Sequence, residues 1–329
     1  MKYDVIVVGG GISGTIAAIA SARCGANTLL VEKYGFLGGT LTASGVGPMM
    51  TFHAGEIQVV QGITDELIQR LKAKGQSPGH IYDTNMYAYT VTPFDAEGMK
   101  HELELMLLES GGKVLYHTML AGVKTENGRI QNITVCNKQG LSELEARVYV
   151  DATGDADLSA WAGVECIKGR PEDGACQPMT LKIKMYNVDI SQTKKYIREN
   201  PQEFSSLNGD TSRLDDAPCL SIGGFYSLIE KARKNGEITF EREAFLFFET
   251  NNPGEVIVNT TRIIRHDPVD MWSLSDAETE GRRQAAEVIN FAKKYIPGFQ
   301  NAVVMFTGPA IGIRSSRQIV GLHVLTADE

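Results

Sequence analysis

The chain opens on an unbroken run of β-branched residues, Val5-Ile6-Val7-Val8. A short run of this kind fits a strand buried on both faces. Gly9-Gly10-Gly11-Ile12-Ser13-Gly14 follows at once, then a stretch rich in Ala and Ile over 15–24 that stops at Gly25. That is helix composition with a glycine end. Thr28-Leu29-Leu30-Val31 predicts a second buried strand, ending in Glu32. Residues 61–74 have the spacing of an amphipathic helix docked on the core. Residues 97–109 predict another helix, with Leu103, Met106 and Leu107 on one side. A strand is expected at 113–116, a hairpin over 123–135 turning at Asn127-Gly128, and an apolar strand over 146–150.

After about Gly163 the pattern changes. Residues 179–185 alternate apolar positions with Lys182 and Lys184, which predicts a strand with one wet face. Helices are expected at 191–200 and 221–234. Strands are expected at 245–248 and 256–264, joined by the turn Asn251-Asn252-Pro253-Gly254. A long helix is expected over 275–295, with Ser275 as N-cap, Glu278 three residues on and Pro297-Gly298 as the stop. A last strand falls at 302–307. The expected fold class is α/β: a Rossmann-like dinucleotide-binding domain over 1–163 and an α+β substrate domain with an antiparallel sheet over 164–308. Residues 309–329 begin a return to the first domain.

The opening pattern carries chemistry. Gly9 permits the tight turn out of the strand, Gly11 lets the backbone approach a pyrophosphate, and Gly14 lets the helix pack closely on the sheet. The helix N-terminus offers free N–H groups and the positive end of a dipole to phosphates. Glu32, at the tip of the second strand, can accept hydrogen bonds from ribose hydroxyls and disfavours a 2′-phosphorylated cofactor. A strand before the motif, a helix after it and an acid about 20 residues on make the context of a dinucleotide site. The motif alone does not separate NAD from FAD.

Two further segments bear on that choice. Glu32-Lys33-Tyr34-Gly35-Phe36-Leu37-Gly38-Gly39-Thr40 places Gly38 and Gly39 for close backbone approach and Thr40 for a hydroxyl contact. The strand over 146–150 leads into Asp151-Ala152-Thr153-Gly154-Asp155, whose small residues let the chain pass over a cofactor. With Pro297-Gly298-Phe299 and Gly312-Ile313-Arg314-Ser315-Ser316-Arg317, these segments resemble the FAD-dependent oxidoreductases of the glutathione-reductase-like fold. The likeness is greatest to a bacterial group of unassigned substrate. The resemblance implies FAD as cofactor, in an FAD/NAD(P)-binding domain with a three-layer ββα arrangement. It implies contacts from Gly9, Gly11, Ile12, Ser13, Gly14, Glu32, Lys33, Gly38, Gly39, Thr40, Ala152, Thr153, Gly154 and Asp155, and a backbone contact to adenine near Met119. The activity implied is hydride transfer between flavin and a small-molecule substrate.

Composition narrows the field. The 329 residues are 43% hydrophobic and 22% charged, with a net charge of −8. An acidic chain is a poor match to nucleic acid or an anionic membrane. The five cysteines include no Cys-x-x-Cys pair, which suits reduced thiols in the cytoplasm and no metal site. No cysteine follows Gly38-Gly39-Thr40, where disulfide reductases of this fold carry their redox pair, so thiol–disulfide exchange is not expected. No second Gly-x-Gly-x-x-Gly in a strand–helix context marks a separate NAD(P)H domain.

Substrate chemistry is less sharply marked. Arg314 matches the arginine that reaches the substrate anion in related amine oxidases and glycerol-phosphate dehydrogenases, although those continue with proline where Ser315 stands here; a structural arginine is the alternative. Arg317 and Arg262 share that ambiguity. His53 is a candidate general base or covalent flavin anchor, set against a loop histidine of no special role; His266 is similar. Cys166 and Cys176 flank a polar loop. Relatives continue with a strand, a glycine turn and a helix that complete the FAD domain. The chain stops instead at Ala327-Asp328-Glu329, and weakened FAD binding is expected from that. Two alternatives stand beside the flavoenzyme reading: a thiazole-synthase-like dinucleotide enzyme and a truncated, non-catalytic dinucleotide-binding protein.

Overall fold

The computed structural model describes residues 2–324 and Thr326. The chain runs through β1 (Lys2–Val8), α1 (Ile12–Arg23) and β2 (Thr28–Val31), the βαβ unit expected from the apolar runs. One helical turn, α2 (Thr40–Ala43), precedes the short pair β3 (His53–Ala54) and β4 (Ile57–Gln58). Next come α3 (Ile63–Ala73), the pair β5 (Ile81–Tyr82) and β6 (Thr90–Val91), α4 (Ala96–Glu109) and β7 (Lys113–Leu115). A meander of β8 (Met119–Glu126), β9 (Arg129–Asn137) and β10 (Gly140–Asp151) leads to α5 (Asp157–Trp161). Asn127 and Gly128 both hold positive φ, as the tight turn between β8 and β9 requires.

These strands form one sheet in the order β7-β2-β1-β10-β9-β8. The long strand β10 serves two layers. Gly140–Leu144 pairs antiparallel with β9, and Glu145–Asp151 pairs parallel with β1. Alternation along β1 sorts the packing. Val7 faces α1, α3 and α4 through Ala18, Ile19, Leu67, Leu71 and Leu103. Ile6 and Val8 face the meander through Ile133 and Val135. Helices, parallel sheet and meander are the three layers.

The second half holds β11 (Cys166–Lys168), β12 (Ile183–Tyr186), α6 (Ile190–Glu199), β13 (Ser221–Gly224) and α7 (Tyr226–Lys234). It continues with β14 (Phe245–Glu249), β15 (Val256–Val258), α8 (Met271–Tyr295), β16 (Val303–Thr307) and β17 (Arg317–Ile319). Five strands form an antiparallel sheet in the order β13-β14-β15-β12-β16, and β17 returns to pair with β11. One face of the large sheet carries Ile183, Met185, Phe245, Phe247 and Val258 into a core with Ile229, Val288, Phe291 and Phe299. Among the described residues no helix is long and apolar enough to cross a membrane.

Four expectations need correction. Residues 221–234 are a strand and then a helix: Ser221–Gly224 pairs with β14, and Phe225 turns the chain at φ +63°. The strand expected over 256–264 ends at Val258, because threonine hydroxyls replace the ladder. Thr260 Oγ1 accepts from Leu246 N at 3.0 Å, and Thr261 Oγ1 accepts from Leu181 N at 2.9 Å. The long helix starts earlier than Ser275, since Asp270 caps it by accepting from Ser273 N at 2.8 Å. The lysine face is not wet: Lys182, just before β12, and Lys184, within it, are only 6% and 9% exposed, because Lys182 packs beside Gly45 of the first half and Lys184 pairs with Glu255. The expectation attached to Ala327-Asp328-Glu329 lies outside the described residues.

Candidate functional site

The turn from β1 into α1 is shaped by contacts that leave almost no freedom. Gly9 has φ +105°, and a Cβ there would lie 2.2 Å from the Ala152 carbonyl oxygen. A Cβ on Gly14 would lie 1.9 Å from the Gly9 carbonyl oxygen, and one on Gly10 2.8 Å from Glu32 Oε2. Gly11 is different. Its φ of −64° suits any residue, and a Cβ there would meet nothing closer than Gly39 Cα at 3.8 Å. The folded protein does not itself require glycine at 11; the space left by the missing side chain belongs to a cavity.

Glu32 ties this turn to the end of β2. It is 5% exposed; Oε2 accepts from Gly10 N at 2.5 Å and Oε1 from Tyr34 N at 2.7 Å. A carboxylate has about four acceptor positions, so capacity remains for a ligand hydroxyl. Gly38 N donates to Gly10 O at 2.9 Å, and Gly39, at φ +56°, would place a Cβ 2.7 Å from Gly11 Cα. Two glycine segments therefore cross at backbone contact. Thr15 N makes the first intrahelical bond, to Gly11 O at 2.9 Å. Among the described residues, the amides of residues 12–14 have no partner at the positive end of α1.

Asp151, at the end of β10, organises the opposite wall. Its Oδ1 accepts from Thr153 N at 3.1 Å and Thr153 Oγ1 at 2.8 Å; its Oδ2 accepts from Ser159 N at 2.8 Å and Ser159 Oγ at 2.7 Å. Thr153 Oγ1 in turn accepts from Asp157 N at 2.9 Å. This network bends the chain through Gly154, at φ +87°, where a Cβ would meet no protein atom within 4 Å.

Between these walls lies a cavity of about 390 Å³. Gly9, Gly11, Ile12, Ser13, Glu32, Lys33, Gly38, Gly39, Thr40, Met119, Ala152, Thr153, Gly154 and Asp155 all line it. Gly14 packs beneath, against Gly9 and Ala152. The cavity also takes in Tyr34, Ser44, Thr118, Ala310, Ile311 and Ile313, which the sequence reading did not single out. The segment around Ala310 reaches the cavity because Ala310 N donates to Ala43 O at 3.1 Å. The small residues flanking it, Gly308 and Gly312, were the available signal: a Cβ on Gly308 would lie 2.7 Å from Ser44 O.

The two substrate candidates lie elsewhere. Arg314 is exposed and donates from Nη2 to Thr180 Oγ1 at 3.2 Å. It lines a neighbouring groove of about 820 Å³ with Arg262, Arg265 and Arg317, and that groove meets the cavity at Gly154. Arg317 donates to Asp157 Oδ1 at 2.9 Å, and burial pushes the Asp157 carboxyl up from its ordinary value. Arg262 stands 3.7 Å from Glu241. His53 sits on β3 outside the cavity lining, its Nδ1 2.9 Å from Thr90 Oγ1 and its ring edge-on to His80. His266 Nδ1 lies 3.0 Å from Ser273 O. Cys166 and Cys176 are free thiols.

The cavity fits a dinucleotide: open helix amides for a diphosphate, a strand-end carboxylate for a ribose, and glycines at 11 and 154 whose absent side chains leave room for the ligand. Fold and cavity together define a dinucleotide-binding protein of the flavoprotein type. The chain belongs to the FAD dependent oxidoreductase family, which it matches over residues 4–329, and its cofactor is FAD. It is similar to a digeranylgeranylglycerophospholipid reductase of Thermoplasma volcanium, at 24% identity over 204 residues, covering 57% of this chain and 48% of that protein. It is also similar to a thiamine thiazole synthase of Aeropyrum pernix, at 34% identity over 167 residues, covering 47% of this chain and 55% of that one. The chain spans about half the length of the curated relatives it matches. These relatives are archaeal and do not bear on a bacterial grouping. A geranylgeranyl bacteriochlorophyll reductase-like protein of Thermoplasma acidophilum superposes with a TM-score of 0.55 at 17% identity, over 94% of this chain and 66% of that one. That likeness is one of fold.

Proposed function

We propose that the chain forms the cofactor cleft of an oxidoreductase that exchanges a hydride between FAD and a small-molecule substrate. We place the FAD-binding domain at 1–163 and the substrate domain at 164–308. In this reading the amides of Ile12, Ser13 and Gly14 receive the diphosphate, with Gly11 and Gly39 allowing its approach. Glu32 accepts from the adenosine ribose, Met119 lies along the adenine, and Gly154 and Asp155 close over the diphosphate. Ser44, Ala310 and Ile311 line the same cleft, and in this reading the flavin ring lies beside them. When bound, FAD supplies the hydride acceptor or donor; the protein positions the reactants and excludes water.

The single observation that carries the reading is Gly11, a glycine that the protein's own packing does not require, at the mouth of a helix. The test is the absorbance spectrum and melting temperature of Gly11→Ala beside the parent chain. The expected result is an unchanged melting temperature for the FAD-free proteins and FAD binding weakened by about tenfold or more. Undiminished FAD binding by the variant would sink the assignment. A second reading, thiazole-synthase-like chemistry, is supported by the stretch 34% identical to that enzyme. It calls for a tightly held adenine nucleotide with no flavin spectrum in the purified chain.

A further inference from the structure

The five-stranded sheet of the second half meets the first half at both of its edges. Beside the β16 edge, Ala310 N donates to Ala43 O at 3.1 Å and Ser44 Oγ donates to Ile311 O at 3.4 Å. A Cβ on Gly308 would lie 2.7 Å from Ser44 O. Ala43, Ser44, Ala310 and Ile311 all line the cofactor cavity. At the β13 edge the contact is made by Thr84 and Asn85, which lie between β5 and β6. Thr84 Oγ1 accepts from Ser221 N at 2.8 Å and donates to Ser221 O at 2.6 Å. Asn85 Oδ1 accepts from Gly223 N at 2.9 Å and from Ser206 Oγ at 3.0 Å. Neither Thr84 nor Asn85 belongs to the cavity lining.

These bonds do for β13 what another strand would do. On an antiparallel edge every second residue turns its N–H and C=O outward. Ser221 and Gly223 are two such residues, and one hydroxyl serves both groups of Ser221. Thr84 and Ser221 are 2% and 3% exposed, so these backbone groups are shut off from water and need the partners they have. The loop is built to present the two side chains. Asp83, fully buried, accepts from Asn85 N at 3.1 Å, Tyr87 N at 3.0 Å and Ala88 N at 3.0 Å. Met86 turns the chain at φ +57°, and the Arg213 guanidinium lies over the Tyr82 ring, 4.9 Å from its centroid. Apolar contact is non-directional and tolerates sliding, whereas hydrogen bonds weaken steeply when their angles change. A polar clasp of this kind sets a position as well as holding two surfaces together.

We propose that Thr84 and Asn85 are positioning residues: from the sheet edge remote from the cofactor cavity, they set how the second half is seated against that cavity. This rests on the oxidoreductase reading, in which hydride transfer needs the substrate domain and the flavin in fixed relation. The sheet is held at two edges, and only one of them borders the cavity. Release of the β13 edge leaves the sheet free to pivot about the contact between residues 43–44 and 308–311. A displacement of about 1 Å at reacting groups is enough to slow a reaction about a hundredfold, so the remote clasp bears on the chemistry without touching it.

Hydrogen–deuterium exchange and iodide quenching of flavin fluorescence, on the FAD-loaded full chain, test this. Thr84→Val keeps the shape and removes the hydroxyl; Thr84→Ser keeps the hydroxyl. In Thr84→Val, exchange over 308–311 is expected to speed about tenfold, with stronger quenching of the flavin and no change over α1. Thr84→Ser is expected to restore both readouts to the parent values. Asn85→Ala, which removes the acceptor for Gly223 N, shifts both in the same direction. Faster exchange confined to 221–223 would mean a local edge role and overturn the proposal. Equal behaviour of Thr84→Val and Thr84→Ser would overturn it as well. Circular dichroism separates these results from loss of fold, and Asn85→Ala carries the test if Thr84→Val does not fold. Exchange needs no flavin: faster exchange over 308–311 in a Thr84→Val chain whose parent takes no FAD would leave the clasp standing and remove the oxidoreductase reading.

Discussion

The glycine turn after β1 and the lysine face at Lys182 and Lys184 come from opposite halves of the chain, and they are built on opposite principles. In the turn the carboxylates are satisfied by the protein, and the amides of residues 12–14 are left open. Glu32 accepts two backbone amides and Asp151 accepts four donors. Space is open there as well, at Gly11 and Gly154. On the lysine face, Lys184 is paired with Glu255, and Lys182, 6% exposed, has no hydrogen-bond partner among the described residues. A site that holds a permanent cofactor can be prepared by shape.

Lys184→Met tests the contrast with the largest effect. It strands Glu255, a buried carboxylate, and should destabilise the chain by about 3–5 kcal/mol in a urea titration. The same substitution at Lys182 removes an unpaired group and should leave stability level or raised. Equal losses at both positions would erase the distinction between them.

Gly14→Ala comes next. A Cβ 1.9 Å from Gly9 O forces α1 off the sheet, and a cost of about 1–3 kcal/mol is expected, with FAD lost as a consequence. Gly11→Ala should lose FAD with no such cost. The pair separates a glycine that serves packing from one that serves the ligand.

Much of this was legible in the sequence, and the difference between the halves explains where it was not. The βαβ unit is local: β1, α1 and β2 follow from consecutive apolar runs, and the glycines that shape the turn stand at motif spacing. The Asp151-Ala152-Thr153-Gly154-Asp155 turn could be placed for the same reason. The lysine face could not. Alternation over 179–185 predicts a strand with two faces, but which face meets water depends on the first half of the chain, more than a hundred residues away. The cavity residues Ala310 and Ile311 were missed for the same reason, since Ala43 and Ser44 bring them in from across the molecule. Residues 221–234 misled because Gly223 and Gly224 can sit in a strand pressed against the turn at Glu203, a contact that no local pattern encodes.

Asp151→Asn should have an intermediate effect. The amide offers an NH₂ where the carboxylate accepted, and either Thr153 or Ser159 loses its acceptor. A loss of about 1–3 kcal/mol is expected, with FAD binding weakened while the helices remain intact by circular dichroism. Asp151→Ala, if no worse than Asn, would show that the carboxylate does not shape the turn.

The smallest effect is the most informative about the lysine face. Burial and two guanidinium groups hold the Lys182 amine at about 7, below its unfolded value of 10.5. Between these values the unfolded chain binds the extra proton, so this residue's contribution to stability is fullest above the unfolded value. It falls with the pH and is lost once the pH passes below the folded value. Lys182→Met removes that dependence. Its melting temperature should exceed the parent's by a few degrees at pH 6, and the gain should shrink steadily toward pH 10. A gain independent of pH would mean that the amine is charged throughout and already has a partner.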